Sequence, residues 1–258
     1  MNRYTKKKQR KFGITALRYF KHIYYRVCHY GSLFLKFPGK ILDYCMGRFL
    51  YRKSPMKRDD MDYHVFSKEY GRYGEFQLWR KARKYVGKDG YWLSNVYLPK
   101  NEEQTCEIDL IAICQKGILV FESKNYSGWI YGDDNSPYWY QMIRKDLRRR
   151  AKKYTFFNPI MQNGMHCRVV CQTVGIDREK VHSLVVFGNQ CSLKEMRIEN
   201  KKVILCRRKK LGRWLMKLPK NALSKAEIEQ IYAQLKPYTD VTWLDKQQHV
   251  STIQNTKR

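Results

Sequence analysis

Eight cysteines occur in the 258 residues, but none forms a CxxC pair and none joins histidines at zinc-finger spacing. A structural zinc site of the usual spacing is thereby excluded. The thiols fall mainly in apolar patterns, as reduced, buried side chains do in a reducing compartment. No run approaches the ~20 uninterrupted apolar residues of a spanning helix. No secretory leader is recognisable, because charges interrupt the apolar stretch behind the basic N-terminus. The chain is therefore expected to be cytoplasmic, possessing at most a peripheral contact with membrane. Acids are scarce: 23 Asp and Glu stand against 52 Lys and Arg, a formal net charge of +29. That excess favours phosphate-rich partners, either nucleic acid or an anionic membrane surface, without choosing between them. No internal repeat is present.

What is abundant is aromatic and apolar residues, 14% and 43% of the chain, which suffice for a packed core. Residues 1–60 stand apart. Up to Arg58 they hold sixteen Lys and Arg and a single acid, Asp43. Ala16, Phe20, Ile23, Val27, Tyr30 and Phe34 recur at helical spacing. Pro38 and Gly39 break the pattern, and a second short helix is expected from about Lys40 to Tyr51. This appendage can pack on the main domain, lie on an anionic membrane, or clamp nucleic acid. "RKSPMKRDDMD", residues 52–62, reads as a polar linker. A main domain is expected over 61–240, and a polar, disordered tail over 241–258.

Within the main domain a helix is expected from Ser67 to about Val86. Strands are expected at about 91–98, 106–114, 117–124, 129–131 and 138–144. A second long helix starts at "NPIMQ", where Asn158 suits the N-cap and Pro159 the first turn. Strands "SLVVFG" and "KVILC" follow, then helices near 208–217 and 224–236. The order implies an α/β fold, a central mixed sheet with helices on its faces.

The hairpin "CEIDLIAICQKGILVFESKN" (106–125) carries the chemistry. Alternation puts Asp109 on one face with Ile111 and Ile113, and Glu122 and Lys124 with Ile118 and Val120. With Gly117 in the left-handed position of a four-residue loop, Ile113 pairs with Ile118 and Asp109 faces Glu122. Two facing carboxylates repel unless a cation or a proton sits between them. Mg²⁺ suits the place, since it takes oxygen ligands, often only one or two carboxylates, and keeps its waters. Lys124 points to the same side and can orient a metal-bound water or stabilise charge on a phosphate. An ordinary Lys–Glu pair with an independent Asp is the alternative. Glu75 falls on the inward stripe of its helix with Trp79, Ala82 and Val86, where a carboxylate is costly unless paired or metal-bound. Gly71 and Gly74 before it allow close backbone approach. Gln162 and His166 share one face of the later helix.

"YGRYGEFQL", "EIDLIAI", "GILVFESKNYSGWIYG", the tryptophan of "YWYQ" and "NPIMQNGMH", in that order, resemble the NERD (nuclease-related) domain, over about residues 68 to 190. That family is similar to the PD-(D/E)xK nucleases. The resemblance implies a restriction-endonuclease-like fold and a divalent-metal-dependent nuclease acting on DNA. It implies Glu75, Asp109 and Glu122 as ligands of Mg²⁺ or Mn²⁺, Lys124 as the site lysine, and Gln162 near the substrate backbone. The aspartate segment here is "DLI", a departure from the family pattern, and Glu107 adds an acid beside it. A non-catalytic module of the same fold, binding nucleic acid or membrane, is the alternative. "RKDLRRRAKK", with Arg144, Lys145, Arg148, Arg149, Arg150, Lys152 and Lys153, and "CRRKK" (206–210) are candidate phosphate contacts. Trp129, Tyr131, Trp139 and Tyr140 are candidate base-stacking rings.

Overall fold

A computed structural model describes residues 37–57, 61–101, 104–144 and 151–239. The helix expected over Ala16 to Phe34, the tail, and Lys145, Arg148, Arg149 and Arg150 lie outside the described residues. The chain divides into two compact units, Met1–Arg52 and Lys53–Arg258. In the first, helix α1 spans Phe37–Tyr51. It starts three residues earlier than expected, because Pro38 has no N–H to lose in a first turn.

The second unit starts inside the expected linker. Met56 is buried, and the Pro55 carbonyl accepts from Ser94 Oγ at 2.8 Å, so this segment is part of the main unit. The expected single helix from Ser67 is two: α2 (Tyr63–Phe66), capped by the Asp62 carboxylate, and α3 (Tyr70–Val86). Phe76, Leu78, Trp79, Ala82 and Val86 form the buried stripe of α3. At Gly74 a Cβ would sit 2.6 Å from that of Asn125, so glycine lets α3 approach the chain leaving the hairpin. Gly71 has open space beside it and plays no such part.

The expected strands appear as β1 (Tyr91–Pro99), β2 (Thr105–Cys114), β3 (Gly117–Lys124), β4 (Gly128–Asp133), β5 (Tyr138–Ile143), β7 (Val181–Phe187) and β9 (Val203–Arg207). Two more, β6 (Lys152–Phe157) and β8 (Cys191–Arg197), were not expected. The nine strands among the described residues form two sheets rather than one. The larger has the order β1-β2-β3-β7-β9; its first three strands are antiparallel and its last three parallel. Helices α4 (Pro159–Val174) and α6 (Lys225–Leu235) pack on it through Cys167, Val170, Ile228, Ile231 and Leu235, against Ile111, Ile113, Ile118 and Val120. Helix α3 packs against β2, β3 and α5 (Leu211–Lys217). This is a mixed α/β architecture consistent with a restriction-endonuclease-like fold.

The smaller sheet, in the order β6-β5-β4-β8, has its own core of Ile130, Trp139, Ile160, Val185, Phe187 and Cys191. Asn158 joins that sheet to α4. Its carboxamide oxygen caps the helix at Ile160 N, and its nitrogen donates to the carbonyls of Asp133 (3.0 Å) and Ser136 (2.8 Å). Every described cysteine is a free thiol. No helix among the described residues is long and apolar enough to cross a membrane.

Candidate active site

The turn of the hairpin has Gly117 at φ +109°, a conformation strained for any other residue. Pairing closes one step tighter than expected, at Cys114↔Gly117, and Ile113 opposes Ile118. The ladder runs to Leu110↔Phe121, and one more step along the same register brings Asp109 beside Glu122. There the ladder gives way to a side chain: Asp109 Oδ2 accepts from the Ser123 N–H at 2.8 Å. On the other flank of β2, pairing with β1 skips Asn95, a non-glycine residue at φ +51° between the pairs Ser94↔Leu110 and Val96↔Ile108. Asp109 thus stands where regular pairing lapses on both sides.

Glu122 is buried at 1% exposure, and its Oε1 lies 2.6 Å from Lys124 Nζ. The same Nζ donates to Gln162 Oε1 at 3.1 Å. His166 Nδ1 stands 3.5 Å from Glu122 Oε2. The hairpin and α4 therefore bring Glu122, Lys124, Gln162 and His166 into one chain of contacts. Asn163, the residue after Gln162, holds α4 in place: its Nδ2 donates to the Val120 carbonyl (3.0 Å) and to Ser183 Oγ (2.9 Å). Sequence reasoning missed Asn163. Its signal was a polar residue on the buried Pro159, Asn163, Cys167, Val170 stripe. Asn125 was missed too; its Nδ2 donates to the Tyr70 carbonyl at 2.8 Å and ties the end of β3 to the start of α3.

Electrostatics link the three carboxyls. Burial pushes Glu75 up to about 7, the charges of Glu107 and Glu122 add to it, and Arg72 opposes it. Burial also pushes Asp109 well up, with Glu122 and Glu75 reinforcing and the Ser123 N–H opposing. Glu122 is pushed up by burial, which outweighs the pull of Lys124. For Lys124, burial acts downward, but the charge and hydrogen bond of Glu122 win and raise it, so it stays protonated. Glu75 also lines a cavity of about 690 Å³ with Arg72, Trp92, Asn95, Tyr97 and Glu107. Inside it burial, followed by the hydrogen bond to Glu107, pushes the Tyr97 phenol up.

Among the described residues no three His, Cys, Asp or Glu side chains converge into a ready-made metal cage. Glu75 Oε2 and Glu122 Oε2 are nevertheless buried carboxylate oxygens without a hydrogen-bond partner. An all-oxygen set of mutually repelling carboxyls fits a hydrated Mg²⁺ or Mn²⁺, which needs one or two of them and brings its own water. It does not fit a closed site for a softer metal.

Of the other sequence candidates, Arg144, Lys152 and Lys153 are exposed. Trp129 is half-exposed and Tyr131 stacks on Tyr140 at 4.8 Å between centroids. Trp139 is a correction: it is fully buried, stacked on Phe187, and its indole N–H donates to the Asp133 carbonyl at 2.7 Å. It belongs to the core of the second sheet and cannot meet a base.

The model of the nuclease-related domain, NERD, matches residues 70–188. An uncharacterized protein of Bacillus anthracis is 30% identical over 162 residues, covering 63% of this chain and 73% of the relative. The chain belongs to the NERD family. No solved structure matches it. The NERD span contains Glu75, Asp109, Glu122, Lys124 and Gln162, and it begins and ends within two residues of the stretch singled out by sequence motifs. Strands β8 and β9 and helices α5 and α6 lie beyond the NERD match. The Asp109…Glu122-Ser123-Lys124 pattern is consistent with membership of NERD in the PD-(D/E)xK superfamily.

Proposed function

We propose that this NERD protein is a divalent-metal-dependent nuclease that hydrolyses phosphodiester bonds in DNA. The observation that carries the reading is the Glu122–Lys124–Gln162 chain set against two further carboxyls, Asp109 and Glu75, whose ionisation the charge of Glu122 disfavours. A purely structural ion pair needs only Glu122 and Lys124; Asp109, whose charge also acts on Lys124, and Glu75, whose charge acts on Asp109, are the further carboxyls expected of a site that binds a cation and an anionic substrate. Glu122, Asp109 and Glu75 would hold Mg²⁺ or Mn²⁺. The bound ion supplies an activated water and neutralises charge on the scissile phosphate.

The chain's own groups do the rest. Lys124, kept protonated by Glu122, presents an ammonium to the water or to a phosphate oxygen, where charge grows as the P–O bond breaks. Gln162 accepts from Lys124 through Oε1 and so fixes its direction. The Gln162 amide nitrogen is left to donate to the phosphate backbone. His166, behind Glu122, limits where that carboxylate can turn.

A specific observation favours a second reading, a NERD module that binds nucleic acid or an anionic membrane without cleaving. The 2.6 Å contact already neutralises Glu122 without a metal. The deciding experiment measures cleavage, binding and melting on the same preparations, with labelled single- and double-stranded DNA and RNA under Mg²⁺ and Mn²⁺. Lys124→Ala should lose about 10²–10³ in turnover, as removal of a preorganised donor does, with DNA affinity nearly intact. Loss of melting temperature and activity in proportion would mark a structural pair. No cleavage by the wild type under either metal would remove the enzyme reading and leave the binding module.

A further inference from the structure

The outer face of the second sheet is unlike its inner one. Alternation sends Ile130, Trp139 and Phe156 toward the core. The opposite set comprises Trp129 and Tyr131 on β4, Tyr138 and Tyr140 on β5, and Lys153 and Phe157 on β6. Register places these side by side: Tyr131 opposes Tyr140, and Tyr138 opposes Phe157. Tyr138 is 64% exposed, and Trp129 and Phe157 are each 49% exposed. Two lysines share the face, since Lys153 Nζ lies 4.3 Å from the Tyr140 ring centre and Lys194 Nζ lies 5.9 Å from that of Trp129.

We propose that this outward face of the four-stranded sheet is a stacking platform for single-stranded nucleic acid, with Trp129, Tyr138 and Phe157 as the rings and Lys153 and Lys194 as phosphate contacts. The inference deepens the nuclease reading by naming the strand form of its substrate. Rings on a flat strand surface can stack only on bases that are not already stacked in a duplex, and four-stranded sheets with outward aromatics engage two or three bases in this way. Charge agrees: lysines beside the rings complement phosphate, in a chain whose net charge is +29.

The test uses the full chain in EDTA, so that binding is read without cleavage. Probes are a fluorescein-labelled thymidine 20-mer, a duplex of equal length, and anionic phosphatidylserine vesicles. The combined Trp129→Ala, Tyr138→Ala, Phe157→Ala variant should lose at least about tenfold in single-strand affinity while duplex affinity stays within about twofold. Trp214→Ala, at an exposed aromatic on α5, should change neither. If the combined variant melts early, Tyr138→Ala alone, the most exposed of the three, should still weaken single-strand binding severalfold. Equal losses on both nucleic acids, no loss, or a loss confined to vesicles would overturn the platform. A protein that cleaves duplex but gives one of those results keeps the nuclease reading and loses this one. A protein that cleaves nothing but discriminates as described does the reverse.

Discussion

Glu75 is one turn into α3, on a stripe whose other members are apolar, and it faces the charges of Glu107 and Glu122. Its carboxyl ionises near 7 in the folded protein and near 4.5 when exposed. The native state therefore holds this proton over a range where the unfolded chain has released it. Stability is greatest below about 4.5 on this account, falls as pH rises, and levels off above about 7. A shift of this size is worth roughly 3 kcal/mol at most, and less given partial exposure. Without metal, the melting temperature should drop by about 5 °C between pH 5 and pH 8 from this group. Glu75→Gln should flatten that slope, and Mg²⁺ should raise the wild-type midpoint more at pH 8 than at pH 6. Thermal melts across a pH series, in EDTA and in Mg²⁺, read both effects; parallel curves for wild type and variant would remove Glu75 from the site. The residues of the candidate site stand out in the sequence because each breaks a local pattern. Asp109 and Glu122 interrupt alternating apolar strands, and Glu75 interrupts an apolar helix stripe. The Lys124–Gln162 contact spans 38 residues of sequence, and no local spacing encodes it.

Elements with an apolar face were legible, and those without one were not. The hairpin β2–β3 showed itself through alternation and Gly117. Strand β6 escaped because "KKYTFF" is exposed at nearly every position and lies at a sheet edge, so only pairing with β5 makes it a strand. Strand β8 escaped because "CSLKEMR" is mostly polar and Glu195 takes φ +45°, which breaks its period. The N-cap at Asn158 was read correctly, but its second task was hidden: it also ties α4 to the β4–β5 turn through two carbonyls. Asn158→Ala removes a cap, worth about 1 kcal/mol, and, while the Asp133 carbonyl keeps the Trp139 indole N–H, takes the side-chain donor from the part-buried Ser136 carbonyl, worth about 1–3 kcal/mol more. Urea unfolding should show a total loss of roughly 2–4 kcal/mol. A loss near that of a simple cap would mean that the second sheet does not depend on this residue.

At the scale of the molecule, charge was the plainest signal and topology the least visible. A single central sheet was the simplest arrangement for the strands expected, and the division into two sheets depends on β6 and β8, whose pairing is long-range. The charge of +29 favours a partner rich in phosphate, whatever the fold. Each phosphate neutralised by a Lys or Arg releases counterions, so affinity for duplex DNA should fall steeply with salt. Arg148, Arg149 and Arg150 sit in the most basic run of the main unit, between β5 and β6, with Arg144, Lys152 and Lys153 exposed on either side. Replacing all three arginines by Gln should reduce the log–log salt slope by up to about 2.7 if each neutralises one phosphate. Titrations of duplex DNA in EDTA between about 50 and 200 mM salt cover the range in which such slopes are resolved. A flattened slope with unchanged single-strand discrimination would make the β5–β6 run a general phosphate contact, separate from the aromatic face. An unchanged slope would move the phosphate surface to the sixteen Lys and Arg of the first 58 residues. In that case, deletion of the segment before Phe37 should lower the slope, and the same truncated chain should lose any affinity for anionic vesicles.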